Sequence, residues 1–198
     1  MFFFGVTIEN DQIARLFDLA SMVLDPANTR ATHITLRGPY DRKPRQDLNW
    51  RKANVGTATL SKPENFFEYG QSTVYLRCEI PFITDIWHKP DYPNGVPHLT
   101  IYDGGDRVFA WQIFQTLQRH EWKLELLLSK MKIIDTKEVL ETNYIKNSES
   151  IDKSLSEVSS EQYSMENLKN LHQGQRIFLL DKICKRIHFI THPSSALI

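Results

Sequence analysis

Hydrophobic and polar positions alternate along this chain with two periods, and the switches between them lay out the elements. The apolar run Met1-Phe2-Phe3-Phe4-Gly5-Val6 predicts a buried central strand over Phe2 to Ile8. Asn10 or Asp11 then caps a helix. Ile13, Leu16, Phe17, Ala20, Val23 and Leu24 recur along it at helical spacing, and Asp25-Pro26-Ala27-Asn28 ends it. Residues 31–38 read as a strand whose Ile34 and Leu36 share one face while His33 and Thr35 share the other. Strand-like runs follow at Gly56 to Leu60 and at Ser72 to Ile80, the second alternating through Val74, Leu76, Cys78 and Ile80. Phe66 and Phe67 are expected on a further short strand, and Pro81 to Trp87 in a helical turn. The stretch Pro90-Asp91-Tyr92-Pro93-Asn94-Gly95 is rich in turn residues. Residues 96–102 form another alternating strand, with Leu99 and Ile101 against His98 and Thr100. A helix runs from Asp106 to about Glu121, apolar at Val108, Phe109, Trp111, Ile113, Phe114 and Leu117. Trp122 to Leu128 and Lys130 to Ile134 read as two more strands.

Two similar units, each with one His-bearing strand and one helix, imply a bilobal α+β domain over residues 1–146. The two His strands would face each other across a groove. Beyond about Lys146 the composition changes. Residues 147–168 are Ser-rich and acidic and read as a mobile or loosely helical connector. Gln175 to Ile190 is apolar and basic. Ile177, Leu180, Cys184 and Ile187 fit a helical stripe there, while the runs Ile177 to Leu180 and Ile187 to Ile190 also fit strands. Residues 147–198 thus form a connector and a C-terminal segment that could pack on the domain.

Composition narrows the partners. The 198 residues suffice for one domain with a sizeable core or two small lobes, and the formal net charge is zero. No global positive field exists to grip long nucleic acid, so a small or terminal phosphate fits better than a duplex. Two cysteines far apart in sequence, Cys78 and Cys184, favour a reduced, cytoplasmic compartment. The apolar start lacks a basic leader and is too short for a membrane span, so no membrane association is expected. A monomer is expected.

The chemistry sits in a pattern that occurs twice. Thr32-His33-Ile34-Thr35-Leu36-Arg37-Gly38-Pro39-Tyr40 and Pro97-His98-Leu99-Thr100-Ile101-Tyr102-Asp103-Gly104 both read His, apolar, Thr, apolar, then Gly. Each copy buries its apolar pair and presents an imidazole beside a hydroxyl. Two imidazoles available in both protonation states near neutrality can act as general base and general acid at phosphorus. The Thr35 and Thr100 hydroxyls can donate to non-bridging phosphate oxygens. The first copy leads into a basic loop, residues 37–52, holding Arg37, Arg42, Lys43, Arg45, Arg51 and Lys52 with Tyr40 and Trp50 interleaved. Such a loop suits a phosphate plus a stacked base, and equally a solvated surface. Arg37, Tyr40, Trp50 and Tyr102 are the candidate substrate-binding residues.

These two stretches resemble the paired signatures of the two-histidine phosphoesterase superfamily, within it the bacterial group of 2′-5′ RNA ligases and cyclic phosphodiesterases. The order of elements over about residues 2–145 is similar as well. The resemblance implies two antiparallel sheets with flanking helices around a central groove. It also implies a metal-independent His/Thr active site, with no cofactor, that acts on 2′,5′-phosphodiester or cyclic nucleotide phosphates. By that resemblance His33 and His98 are the catalytic pair, and Thr35 and Thr100 hold the phosphate. The substrate partner would be a nucleotide or oligonucleotide phosphate, hydrolysed or, in the ligase direction, joined. Two rival readings remain. A zinc hydrolase would need three protein ligands, and His88 and Asp103 are the residues it would recruit. A non-catalytic nucleotide- or RNA-binding module would hold the phosphate without turning it over. The other histidines, His88, His120, His172, His188 and His192, read as surface or packing residues.

Overall fold

A computed structural model describes residues 1–27, 32–44, 56–81, 83, 96–129, 131–135, 148–159, 163–164 and 166–192. Its strands are β1 (Phe2–Val6), β2 (Ile34–Tyr40), β3 (Thr57–Asn65), β4 (Thr73–Glu79), β5 (His98–Asp103), β6 (Leu124–Leu127) and β7 (Lys132–Asp135). Its helices are α1 (Asp11–Leu24), α2 (Arg107–Gln118), α3 (Ser148–Val158) and α4 (Gln173–Thr191). The class is α+β. The strands form one curled antiparallel sheet in the order β6-β3-β4-β5-β2-β1-β7.

Local chemistry accounts for the helix starts. The Asn10 side chain accepts from the Gln12 and Ile13 amides, and that of Asp106 accepts from Phe109 N–H, each satisfying donors the first turn leaves open. His172 and Gln175 close a reciprocal capping box on α4. One face of the sheet carries Ile34, Leu36, Leu60, Val74, Leu76, Leu99 and Ile101, all buried. Helices α1 and α2 pack on this sheet, and α4 packs across both of them.

The resemblance implies two sheets, but the ladders run on through a narrow seam into one. Strands β2 and β5 meet at Ile34↔Leu99 and Thr35↔His98. One half of the sheet, β6-β3-β4-β5, lies on one side of that seam, and β2-β1-β7 on the other. The chain just past β1 also meets the end of β6. Ile8 bridges Leu128, Glu9 N–H donates to Leu127 O at 2.9 Å and Ser129 N–H to Thr7 O at 2.8 Å. Closing the sheet at one end in this way is what curls it.

One more expectation changes, and two open ones resolve. Phe66 and Phe67 do not form a strand. Strand β3 reaches Asn65, and Phe67–Tyr69 turns as a 3-10 helix ended by Gly70 at φ 74°, a conformation that suits glycine. Part of the Ser-rich stretch folds as α3, and its Leu155 is fully buried. The two options for Gln175 to Ile190 resolve as helix: Leu179, Leu180, Ile183, Cys184 and Ile187 line the buried stripe. The turn expected over Pro81 to Trp87 falls largely outside the described residues, as does Pro90 to Gly95.

Candidate active site

The seam places the two motifs side by side. Residues directly opposed on antiparallel strands share a face, so the Thr35↔His98 pair puts both on the face away from Ile34 and Leu99. Alternation adds Thr100 on β5 and His33 just before β2. Continuing the same register by one residue sets His33 opposite Thr100. The result is a four-residue patch in which each His faces the other motif's Thr. A glycine borders it. Gly5 pairs with Thr35 on β1, and a Cβ there would come within 3.6 Å of the His33 ring.

His98 has a fixed tautomer. Its Nδ1 lies 2.8 Å from the Val96 carbonyl oxygen. A carbonyl only accepts, so Nδ1 carries the proton and Nε2 keeps the lone pair. Burial holds the imidazole below its usual pKa, and the nearby charge of His33 pushes the same way, against the pull of the Val96 bond. Both favour a neutral ring. The ring is also walled by aromatics, edge-on to Phe66 at 5.5 Å and tilted on Tyr75 at 5.0 Å. On the His33 side, Phe3 lies 6.4 Å away between ring centroids. Under that side Asp18 of α1 accepts the Thr32 amide at 2.6 Å. Burial raises the Asp18 carboxyl, opposed by its bonds from Thr32 and by the charge of His33.

Strand β4 adds residues that the sequence reading passed over. Its register sets Tyr75 opposite Thr100 and Arg77 opposite His98. The Tyr75 hydroxyl donates to Glu64 Oε2 at 3.1 Å. Lys62 Nζ lies 3.0 Å and Arg77 Nη1 3.4 Å from Glu64 Oε1. Burial first, then the Glu64 charge and bond, raise the Tyr75 phenol, which stays a donor. A signal for these residues exists. In the run from Ser72 to Ile80 the apolar phase is Val74, Leu76 and Cys78, and the opposite phase holds Tyr75 and Arg77.

The remaining candidates do not join the patch. The β1–β2 register slips between Phe2 and Phe4 and again between Phe4 and Gly5, and each one-residue slip turns the following side chains to the other face. Arg37 therefore stands opposite buried Phe4 rather than beside Thr35. Tyr40 packs edge-on to Phe4 at 5.8 Å. A slip between Val74 and Tyr75 does the same on β5. Tyr102 pairs with Val74 and packs edge-on to Phe109 of α2 at 5.5 Å, only 6 % exposed. Trp50 lies outside the described residues, as do Arg45, Arg51, Lys52 and His88.

Asp103 accepts from the Thr73 hydroxyl at 2.6 Å. Among the described residues no three His, Cys, Asp or Glu side chains are grouped as a metal centre would require. His120 pairs with Asp181 at 2.9 Å, and His188 stacks on His192 at 4.7 Å. No described helix is long and apolar enough to cross a membrane. No protein-family model matches the chain, and a search of curated proteins finds no match either.

Proposed function

We propose that the chain is a metal-independent phosphodiesterase of the two-histidine kind, acting on cyclic or 2′,5′-linked nucleotide phosphates. The observation that carries this reading is the Thr35↔His98 register, which seats both His-x-Thr motifs on one face. The two runs of strands that meet at the β2–β5 seam are compatible with the two-lobed architecture that the resemblance implies.

The chemistry follows from the proton positions. His98, neutral with Nε2 open, takes a proton from the attacking water as that oxygen bonds to phosphorus. Thr35 and Thr100 donate to the non-bridging oxygens, where charge grows in the transition state. Protonated His33 gives its proton to the leaving sugar oxygen as the P–O bond breaks. The cyclic diester becomes a monoester, and the two histidines end with their protonation states exchanged. With a sugar hydroxyl in place of water as the nucleophile, the same proton transfers open the cyclic phosphate to an acyclic diester and so join rather than hydrolyse.

The test is one purified protein assayed on 2′,3′-cyclic nucleotides and 2′,5′-linked oligoadenylate, with and without chelator. Turnover that survives chelator and is lost in His33→Ala and His98→Ala supports the reading. Chelator-sensitive turnover restored by zinc would replace it with a zinc hydrolase. Nucleotide binding without turnover across the panel would leave a binding module.

A further inference from the structure

We propose that Arg77 forms a second anion site in this groove, so that the preferred substrate is a nucleotide carrying another phosphate beside the one that reacts. This rests on the groove being a nucleotide phosphate site, as above. His98 has two cross-strand neighbours, Thr35 on β2 and Arg77 on β4. The reacting phosphate belongs on the Thr35 side, between the imidazoles and the two hydroxyls. Arg77 lies on the far side of His98, one strand spacing out, about 4.8 Å. A guanidinium based there meets a group further along the nucleotide.

Arg77 is built for that task. Its Nη1 is engaged at 3.4 Å by Glu64, and the side chain remains 38 % exposed. A guanidinium presents five donors in a rigid fork, so one contact leaves most of the fork for an oxyanion. Glu64 also accepts from Tyr75 and pairs with Lys62. Glu79 follows Arg77 in the same phase of β4, so the flank as a whole is close to neutral, and the donors of Arg77 not taken by Glu64 are what an anion would meet. Glu64 is thus a positioning residue: it restrains the guanidinium on the β3 side of a backbone position that stands opposite His98, and so reduces the freedom lost when an anion binds. The two hydroxyls at the seam cannot do this work, because they carry no charge.

The experiment is calorimetric titration of the full chain with adenosine 2′-monophosphate and adenosine 2′,5′-bisphosphate. The wild type should bind the bisphosphate about tenfold or more tightly, the worth of a charged hydrogen bond. Arg77→Ala should bring that ratio close to one. Arg77→Lys should keep part of it, with the charge retained and the fork lost. Taking the ratio within each variant cancels any general loss of folded protein, which would weaken both ligands alike. A wild type without preference, or an Arg77→Ala ratio equal to that of the wild type, overturns the proposal. The catalytic reading fails in a different way, as binding with no turnover, and an Arg77-dependent ratio would then stand on its own.

Discussion

At His98 a single hydrogen bond fixes the tautomer. With Nδ1–H tied to the Val96 carbonyl, Nε2 is left with the lone pair, as the proposed base requires. Burial keeps the ring neutral to lower pH than a free imidazole. The acid limb of a rate profile should therefore fall below the ordinary imidazole value of about 6.5. The sign follows from the proposed role: a base accepts a proton only when neutral, so activity should rise as pH passes upward through the lowered value. On the same proposal the alkaline limb reports loss of the His33 proton. A stopped assay across pH checks both limbs, and an acid limb at or above the free value would remove His98 as the base. Stability carries the same sign. The unfolded ring binds a proton first as pH falls, so the contribution of His98 is present above about 6.5 and is lost on acidification through the folded value. His98→Ala should lower kcat by about a hundred- to ten-thousand-fold. Thr35→Val or Thr100→Val should cost about ten- to a hundredfold, the worth of one hydrogen bond to a charged oxygen.

Strands and helices were largely legible from period alone, and the places where legibility failed are register slips. The Asn10 cap, the α1 stripe and the apolar phase of β4 all follow from residue type and spacing. That His and Thr share a face within each motif follows too, because strict alternation holds from His33 to Thr35 and from His98 to Thr100; that the two motifs lie side by side comes from the β2–β5 pairing, where facing strands were expected. Alternation fails one step later. The slip between Phe4 and Gly5 turns Arg37 to the other face, and the one between Val74 and Tyr75 does the same to Tyr102. A bulge depends on how two strands meet, which no single strand encodes. Arg77 and Glu64 were hidden for a related reason, since their nearness to His98 is a matter of pairing across β3, β4 and β5. Gly5 tests the packing of this layer. A Cβ there would sit 2.6 Å from the Ile134 Cδ1 tip and 3.0 Å from the Ile34 carbonyl oxygen. Ile134 can swing aside, but the Ile34 backbone belongs to the seam. Gly5→Ala should cost about 1–3 kcal/mol in a urea melt and should also lower kcat, because His33 adjoins the displaced strand. An unchanged melt with unchanged kcat would show that β1 has slack beside His33.

For the whole molecule, the question is whether the last helix belongs to the core. The change of composition near Lys146 reads as the start of an appendage, yet α4 supplies Leu179, Leu180, Ile183, Cys184 and Ile187 to the same buried cluster as α1 and α2. Polar contacts reinforce the fit. Arg176 Nη1 donates to Val23 O at 2.7 Å, at the end of α1, and Nε to Leu171 O at 2.9 Å. His120, just past α2, meets Asp181 of α4 at 2.9 Å. None of these residues lies on the His/Thr face, so stability and chemistry should separate. Ile183→Ala leaves a cavity in a fully buried position and should cost about 2–5 kcal/mol. For a chain of this size that is a melting temperature lower by roughly 5–20 °C. Well below that melt, kcat on the cyclic nucleotide should stay within about twofold of the wild type, because cavity costs are local to the packing they disturb. Deleting residues 173–198 should go further and strip the cover from α1, giving a chain that exposes apolar surface and binds a hydrophobic dye. A melting temperature unmoved by Ile183→Ala, together with a soluble and active truncation, would make α4 an ornament on a domain complete without it.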